Sequence, residues 1–471
     1  MPRQLALFIC VVFMLWLSTR DRKLRPMSSA ALWIPLLWFL ILGSRPVSYW
    51  FGAGLRVETP DDYLDGSPFD RIVFLLLLAM GIVVLVRRGV NWRRIFLSNR
   101  WVFAFFLYCA VSIIWSDYPF VSFKRWIKDL GNVVMVLIIL TEKDRVKATR
   151  AVLARFTYIT IPLSIVLIKY YGELGRYLNS TWQTSYCGVT MEKNALGCIA
   201  FLSGIFLVWD LMEKRTSQEV KADRTDLLNR MVLLSMVCWL LVKAQSSTSL
   251  VCFVLGLCIM LAMRLPFARL QVRYLGGYAL GTVFLVLLFY AVPAVREGLV
   301  AFLGKDMTLT GRTDIWTDLL RERINPLLGT GYQSFWLGPR VEHYWAKWVF
   351  HPNQAHNGYL ETYINGGLIG VCLLMTMIVS TGSNLRKDLL LGSSYGTLRF
   401  SFFVTVICYN WTEAMFNRLT PIWFVLLIAA LNYPRLTRAM AGNIARDSHG
   451  GFGRKLSREQ SNVAIPSGAV L

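Results

Sequence analysis

HPNQAHNGYLETYINGGLIGVCLLMTMIV, residues 351–379, opens with two histidines and several amides and closes as a long apolar run. A membrane span needs about 20 mostly apolar residues, and runs of this kind recur along nearly the whole chain. Of its 471 residues, 55% are hydrophobic and 17% charged, where a soluble protein carries about 25% charged. Mean hydropathy is +0.48. Candidate spans lie near 4–18, 29–43, 72–86, 101–115, 130–140, 157–170, 195–212, 231–245, 248–263, 274–293, 366–382, 400–412 and 419–432. The sequence therefore predicts an all-α polytopic membrane protein of about 12–13 transmembrane helices. Residues 1–432 form one membrane domain, and 433–471 a basic, disordered tail. The stretch 119–140 is the least regular, because its first half is amphipathic.

The net charge of +22 would suggest nucleic acid on a soluble protein. Its placement argues otherwise. Loops 19–28, 87–100, 141–155, 213–230, 264–273 and 383–399, with the tail, hold 31 of the 50 Lys and Arg. These loops alternate with the others, and the remainder of the chain is nearly neutral. The basic side is the cytoplasm, facing anionic lipid, and nucleic acid is not an expected partner. The basic cluster follows the first apolar segment, which fits an anchor with its N-terminus outside better than a signal peptide. Eight of the nine cysteines lie in apolar runs and only Cys187 in a loop. With no Cys-x-x-Cys spacing, neither a zinc site nor a disulfide framework is indicated.

Loops 44–71, 171–194 and 294–365 then face outward. The last is the longest between two spans, and a loop of that length is usually functional or disordered. Its many aromatic residues, Trp316, Phe335, Trp336, Tyr344, Trp345, Trp348 and Phe350, argue for order. Three of the chain's four histidines, His343, His351 and His356, fall here, and His449 lies in the tail. Histidine suits proton transfer near neutral pH. Surface histidines in an aromatic loop are the plainer reading. A metal site fits poorly, because the spacings match no helical pair and no carboxylate or Cys sits at ligand spacing. Gly311-Arg312 reads as a turn entering a helix, whose free amides and arginine would suit an anion. The plainer alternative pairs Arg312 with Asp314 or Asp318. Other outward cations are Arg125 and Lys128 on 119–129, and Arg176 and Lys193 in loop 171–194, with Asn194 beside the last. The acidic residues Glu58, Asp61, Asp62, Asp65 and Asp70 are where a divalent cation would be sought, or are simply solvated. Cations at membrane level suit an anionic, diphosphate-linked lipid.

These residues carry a resemblance. GRTDIW, NPLLGTGYQSFW and AHNGYLETYINGGLIG in the long loop resemble the O-antigen ligase/polymerase superfamily of bacterial envelope proteins. SDYPFVSFKRWIKDLGNV and GELGRYLNSTWQTSYCGVTMEKNALG are similar to its exopolysaccharide-polymerase branch. The likeness covers roughly residues 100–430. It implies a GT-C-like glycosyltransferase fold in the bacterial inner membrane, with a long periplasmic loop bearing the active site and a cytoplasmic C-terminal tail. It further implies an undecaprenyl-diphosphate-linked glycan donor, a glycan acceptor, and metal-independent, cofactor-free, inverting transfer. Chain-length regulator and flippase proteins of the same pathway, besides membrane lipids, are the further partners. His356 and Arg312 match the family's histidine and loop arginine. Arg176 and Lys193 match its earlier basic residues, and Asn357, Arg125 and Glu361 are further substrate-contact candidates. Asn365 departs from the acidic residue common before the paired glycines.

A polysaccharide polymerase is thus the leading expectation, an O-antigen ligase acting on lipid A-core or another acceptor the alternative, and a lipid-linked-sugar flippase the third. A transporter should show broken helices and ionisable groups at the midplane. Here charges within the spans are few and near their ends (Asp210, Lys243, Glu413).

Overall fold

The computed structural model describes residues 1–24, 29–52, 67–178, 182–214, 224–278, 281, 312–348 and 351–433. Most of the expected span 274–293, the start of the long outer loop, Glu58, Asp61, Asp62, Asp65, His449 and the tail from 434 lie outside these residues. In chain order the helices are α1 (Arg3–Leu24), α2 (Trp33–Leu42), α3 (Pro68–Arg87), α4 (Trp92–Ser98), α5 (Arg100–Val111), α6 (Pro119–Leu140), α7 (Arg145–Tyr170), α8 (Lys193–Lys214) and α9 (Arg224–Ala244). They continue with α10 (Ser247–Ala262), α11 (Pro266–Gln271), α12 (Arg312–Arg321), α13 (Gly338–Lys347), α14 (Gly358–Leu390), α15 (Ser394–Tyr409) and α16 (Pro421–Ala430). Two short antiparallel strands, β1 (Arg176–Leu178) and β2 (Thr184–Tyr186), pair in the outer loop before α8.

The protein is an all-α polytopic membrane protein, and each expected span within the described residues coincides with helix. Fewer of them are complete crossings than the 12–13 stretches suggested. Among the described residues six helices are long and apolar enough (α1, α3, α7, α8, α9, α14), and up to eight if the bent pairs α4–α5 (95°) and α10 with Pro266–Tyr278 (99°) each count as one. The physical reason is length and burial. α2 and α16 have 10 residues each, short of the roughly 20 a bilayer needs, and all of α16 is buried inside the bundle. α6 runs unbroken for 22 residues, so its amphipathic half and its apolar half are one helix.

A buried polar network fastens the outer loop to this core. Asp129 of α6 accepts the indole N–H of Trp423 at 2.7 Å, the Asn132 amide at 3.0 Å and the Tyr332 hydroxyl at 3.1 Å. Asn132 in turn accepts the Trp38 indole at 2.7 Å. A carboxylate so deep persists only when its oxygens are satisfied, so Tyr332 is drawn onto the bundle.

The second fastening is a break in α14. Gly367 adopts φ 60°, ψ −165°, a region essentially closed to side-chain-bearing residues. The interrupted ladder leaves backbone groups unpaired, and the segment 326–331 supplies partners. Thr330 and Gly331 donate to the carbonyls of Ile364 and Asn365 (3.0 and 2.9 Å), and Leu368 and Ile369 donate to those of Pro326 and Leu327 (2.9 and 3.2 Å). A Cβ on Gly367 would stand 2.2 Å from the Leu327 carbonyl carbon. Gly367→Ala is therefore expected to cost about 1–3 kcal/mol and to lower the melting temperature in detergent; an unchanged melting curve would show the break to be slack. Around this seam Ile315, Leu319, Phe335, Trp336, Val341 and Tyr344 form a small core of their own, so the aromatic part of the loop is an ordered cap.

Candidate functional site

The site is built where the cap meets the ends of α8, α14 and α15. Asn357 caps α14, its side-chain oxygen accepting the amides of Tyr359 and Leu360 at 3.0 Å each. Ala355 is held by Glu361, which accepts its amide at 2.8 Å, and by the Trp316 indole, which donates to its carbonyl at 2.7 Å. Between these anchors His356 takes φ +49°. That is a left-handed conformation uncommon outside glycine, and it turns the imidazole toward the segment after α15.

There it meets Glu413. The His356 Nδ1 stands 3.2 Å from Glu413 Oε2. The other oxygen of Glu413 accepts from Arg312 Nη2 and from Asn194 Nδ2, both at 3.0 Å. Glu413 is only 2% exposed, so its charge is matched by these contacts rather than by water. Arg312 opens α12 and also donates Nη1 to the Thr412 carbonyl at 2.5 Å. Its partner is thus Glu413, and not Asp314 or Asp318; Asp318 is bound by Lys347 at 2.6 Å. With Nδ1 donating to the carboxylate, the basic lone pair of His356 is on Nε2.

A second cation flanks this triad. Arg418 donates to the Asn353 carbonyl and to Glu361 Oε1, both at 3.0 Å. Glu361 is the hub: besides Arg418 and Ala355 it accepts the Trp336 indole at 3.0 Å and the Asn365 amide at 3.3 Å. Glu192, at the mouth of α8, completes the cluster. It reaches solvent, yet desolvation by the surrounding protein, followed by the negative charge of Glu413, holds its carboxyl above the usual carboxylate range against the pull of His356 and Arg418.

The structure thus brings together His356 and Arg312 and leaves the other expected residues in different roles. Asn357 and Glu361, expected as substrate contacts, have their oxygens engaged by the protein. Arg125 donates to the Gln333 carbonyl at 2.7 Å and so holds the cap to α6. Arg176, on β1, donates to the Ile168 carbonyl at 2.8 Å and lines a separate cavity of about 340 Å³ with Arg45 and Tyr177. Lys193 begins α8 between Glu192 and Asn194, and its amide donates to the Tyr177 hydroxyl at 3.3 Å. The three histidines of the loop do not converge: His351 stacks on Trp345 and His343 lies edge-on to Tyr344. Among the described residues no group of three or more His, Cys, Asp or Glu is placed to hold a metal. Asp70 is turned inward to the Ser48 amide and hydroxyl (2.9 and 2.6 Å).

Sequence reasoning missed Glu413, Arg418 and Glu192 as site residues. The signal was there for Glu413: a solitary carboxylate directly after an apolar run, at its outer end.

A histidine oriented by a buried carboxylate and flanked by two arginines, at the end of a membrane-helix bundle, is an arrangement suited to proton transfer beside an anionic group. Comparison with known proteins gives the class. The O-antigen ligase family model matches residues 231–375, which include Arg312, His356 and Glu361. The exopolysaccharide production protein ExoQ of Rhizobium meliloti (strain 1021) is 29% identical over 318 residues, covering 64% of this chain and 69% of that protein. The chain is thus similar to the O-antigen ligase family over residues 231–375 and to an exopolysaccharide production protein over a longer stretch, and these likenesses support a polysaccharide-related membrane enzyme.

Proposed function

We propose that this protein is a glycosyltransferase that polymerises undecaprenyl-diphosphate-linked oligosaccharide repeat units, at the periplasmic face of the bacterial inner membrane. The observation that carries this reading is one buried carboxylate, that of Glu413, bound to both His356 and Arg312. His356 Nε2 accepts the proton of an acceptor hydroxyl as that oxygen bonds to the anomeric carbon of the donor glycan. The bond from that carbon to the diphosphate breaks, and the lipid diphosphate leaves with the electron pair. One displacement inverts the anomeric configuration. Arg312 and Arg418 bring fixed positive charge to the leaving group, in a partly dry site where it acts more strongly than in water.

The place of the site supports a lipid-linked donor. Asn194, at the start of α8, touches Glu413, and the helix then crosses the apolar bundle, so the site sits at the edge where a lipid's diphosphate would lie. The charge asymmetry of the loops supports a periplasmic site and a cytoplasmic tail. The relative's name speaks of exopolysaccharide production; the description of the family model is that of a ligase, which would share the site and differ in acceptor.

Sizing the undecaprenyl-linked intermediates of cells lacking the protein decides among the readings. Single repeat units accumulating without polymer are expected. Long polymer stranded on the carrier would establish the ligase, and intermediates trapped on the cytoplasmic face would establish a flippase. Arg312→Lys is expected to lose roughly 10–100-fold in kcat/KM, because a point charge replaces a planar fork. Full activity in that variant would reduce Arg312 to a structural role.

A further inference from the structure

α8 has a second end. From Asn194 to Met212 it rises about 27 Å at 1.5 Å per residue, close to the thickness of a bilayer's hydrocarbon core. Its far end borders a cavity of about 180 Å³ whose walls include Trp209, Met260, Met263, Arg264, Arg269 and Ser394. This cavity lies at the opposite end of α8 from Asn194 and His356, so binding of a ligand in it can be tested independently of the polymerase reading.

Its cations are poised. Arg264 donates one Nη2 hydrogen to the Met212 carbonyl at 2.8 Å, and Arg269 donates its Nε hydrogen to the Met263 carbonyl at 2.7 Å. These bonds aim the guanidinium groups without cancelling their charge, and among the described residues no carboxylate pairs with either. Among the described residues, carboxylates at this end have partners of their own: Asp210 pairs with Arg150 and Arg230 at 2.9 and 2.8 Å, Asp388 with Arg399 at 2.9 Å, and Glu213 with the Ser394 hydroxyl. Arg386, which donates to the Arg273 carbonyl at 3.3 Å, adds to the positive field.

The backbone supplies the second observation. α10 ends and the chain turns by 99° into Pro266–Tyr278. Along this turned segment Leu265, Phe267 and Leu270 are 60–71% exposed. Apolar side chains that open beside paired arginines are the pattern of a helix lying in the membrane interface, cations at headgroup level and apolar groups in the acyl region.

We propose that this cavity binds the phosphate of an anionic phospholipid, with Arg264 and Arg269 as the cationic contacts and Leu265, Phe267 and Leu270 against its acyl chains. The basic-loop rule assigns this edge to the cytoplasmic leaflet.

The test uses the full chain in a non-ionic detergent, titrated with phosphatidylglycerol, with phosphatidylcholine and with inorganic phosphate. Native mass spectrometry reads retained lipid, and thermal melting reads stabilisation. Phosphatidylglycerol is expected to be retained and to raise the melting temperature. Its affinity should fall about thirtyfold in Arg264→Gln/Arg269→Gln, the effect of two cationic side chains near a charged surface. The Arg264→Lys/Arg269→Lys protein should keep most of it. Equal binding of phosphatidylcholine, or an unchanged affinity in the Gln variant, overturns the proposal. Inorganic phosphate that stabilises as well as the lipid overturns it too, by making this a soluble-anion site. Should the Gln variant not fold, a photoreactive phosphatidylglycerol on the wild-type chain gives the answer. Labelling within residues 265–270 supports the site, and labelling elsewhere alone refutes it.

Discussion

His356→Ala is expected to leave the chain in the membrane and to lower glycan transfer by about 10²–10⁴-fold, the range ascribed to a positioned general base. With Nδ1 held by the Glu413 carboxylate, the imidazole offers Nε2 as a nitrogen suited to take a proton from a hydroxyl. Alanine alone is an imperfect test, because residue 356 sits at φ +49° and alanine resists that conformation more than histidine does. His356→Asn removes the objection. Asparagine is at home in the left-handed region, and its amide N–H can still meet Glu413, but it cannot accept the proton. Both variants should therefore fail equally, with donor lipid still bound. An asparagine variant that polymerises at the wild-type rate would end the base assignment and leave His356 as a backbone anchor.

The reach of sequence reasoning here follows the range of the forces involved. Hydropathy is local, so the apolar runs announced their helices, but the break at Gly367 lay within a stretch read as a span. What fills the break is not local. Segment 326–331 is recognised as the partner of 364–369 only once the chain has folded back on itself. Burial, too, is collective: α16 has the apolar content of a span, yet with 10 residues it serves as a core helix. Within the site, His356 and Arg312 were legible because a polar residue beside an apolar run must have a reason to be there. Their common partner was not. Glu413 is 57 residues from His356 and 101 from Arg312, and no periodicity links such positions. Asn357 and Glu361 show the opposite difficulty. Their polarity was visible, but whether it serves the substrate or the protein depends on neighbours as distant as Trp336 and Arg418.

Glu413→Gln is expected to reduce transfer about 10²–10⁴-fold, by analogy with loss of the histidine-orienting carboxylate in a Ser-His-Asp triad, although it changes one atom and keeps the volume. The carboxylate accepts on both oxygens, from His356 on one and from Arg312 and Asn194 on the other. A carboxamide accepts on one side and donates on the other. If its N–H turns to His356, the imidazole must present Nδ1 as acceptor and carry its proton on Nε2, so the nitrogen that should receive the hydroxyl proton already holds one. If its N–H turns the other way, it faces the donors of Arg312 and Asn194, and the guanidinium loses its only carboxylate among the described residues. Either orientation also strips the site of a buried negative charge that two groups were arranged to meet. Because Glu413 acts through His356, the effects should not add: the His356→Ala/Glu413→Gln protein should be no worse than His356→Ala. Single-turnover transfer by the purified variants, with bound donor measured separately, makes the comparison. Multiplicative losses in the double variant would mean that the two residues work independently, and that the contact between Nδ1 and the carboxylate is not what makes His356 a base.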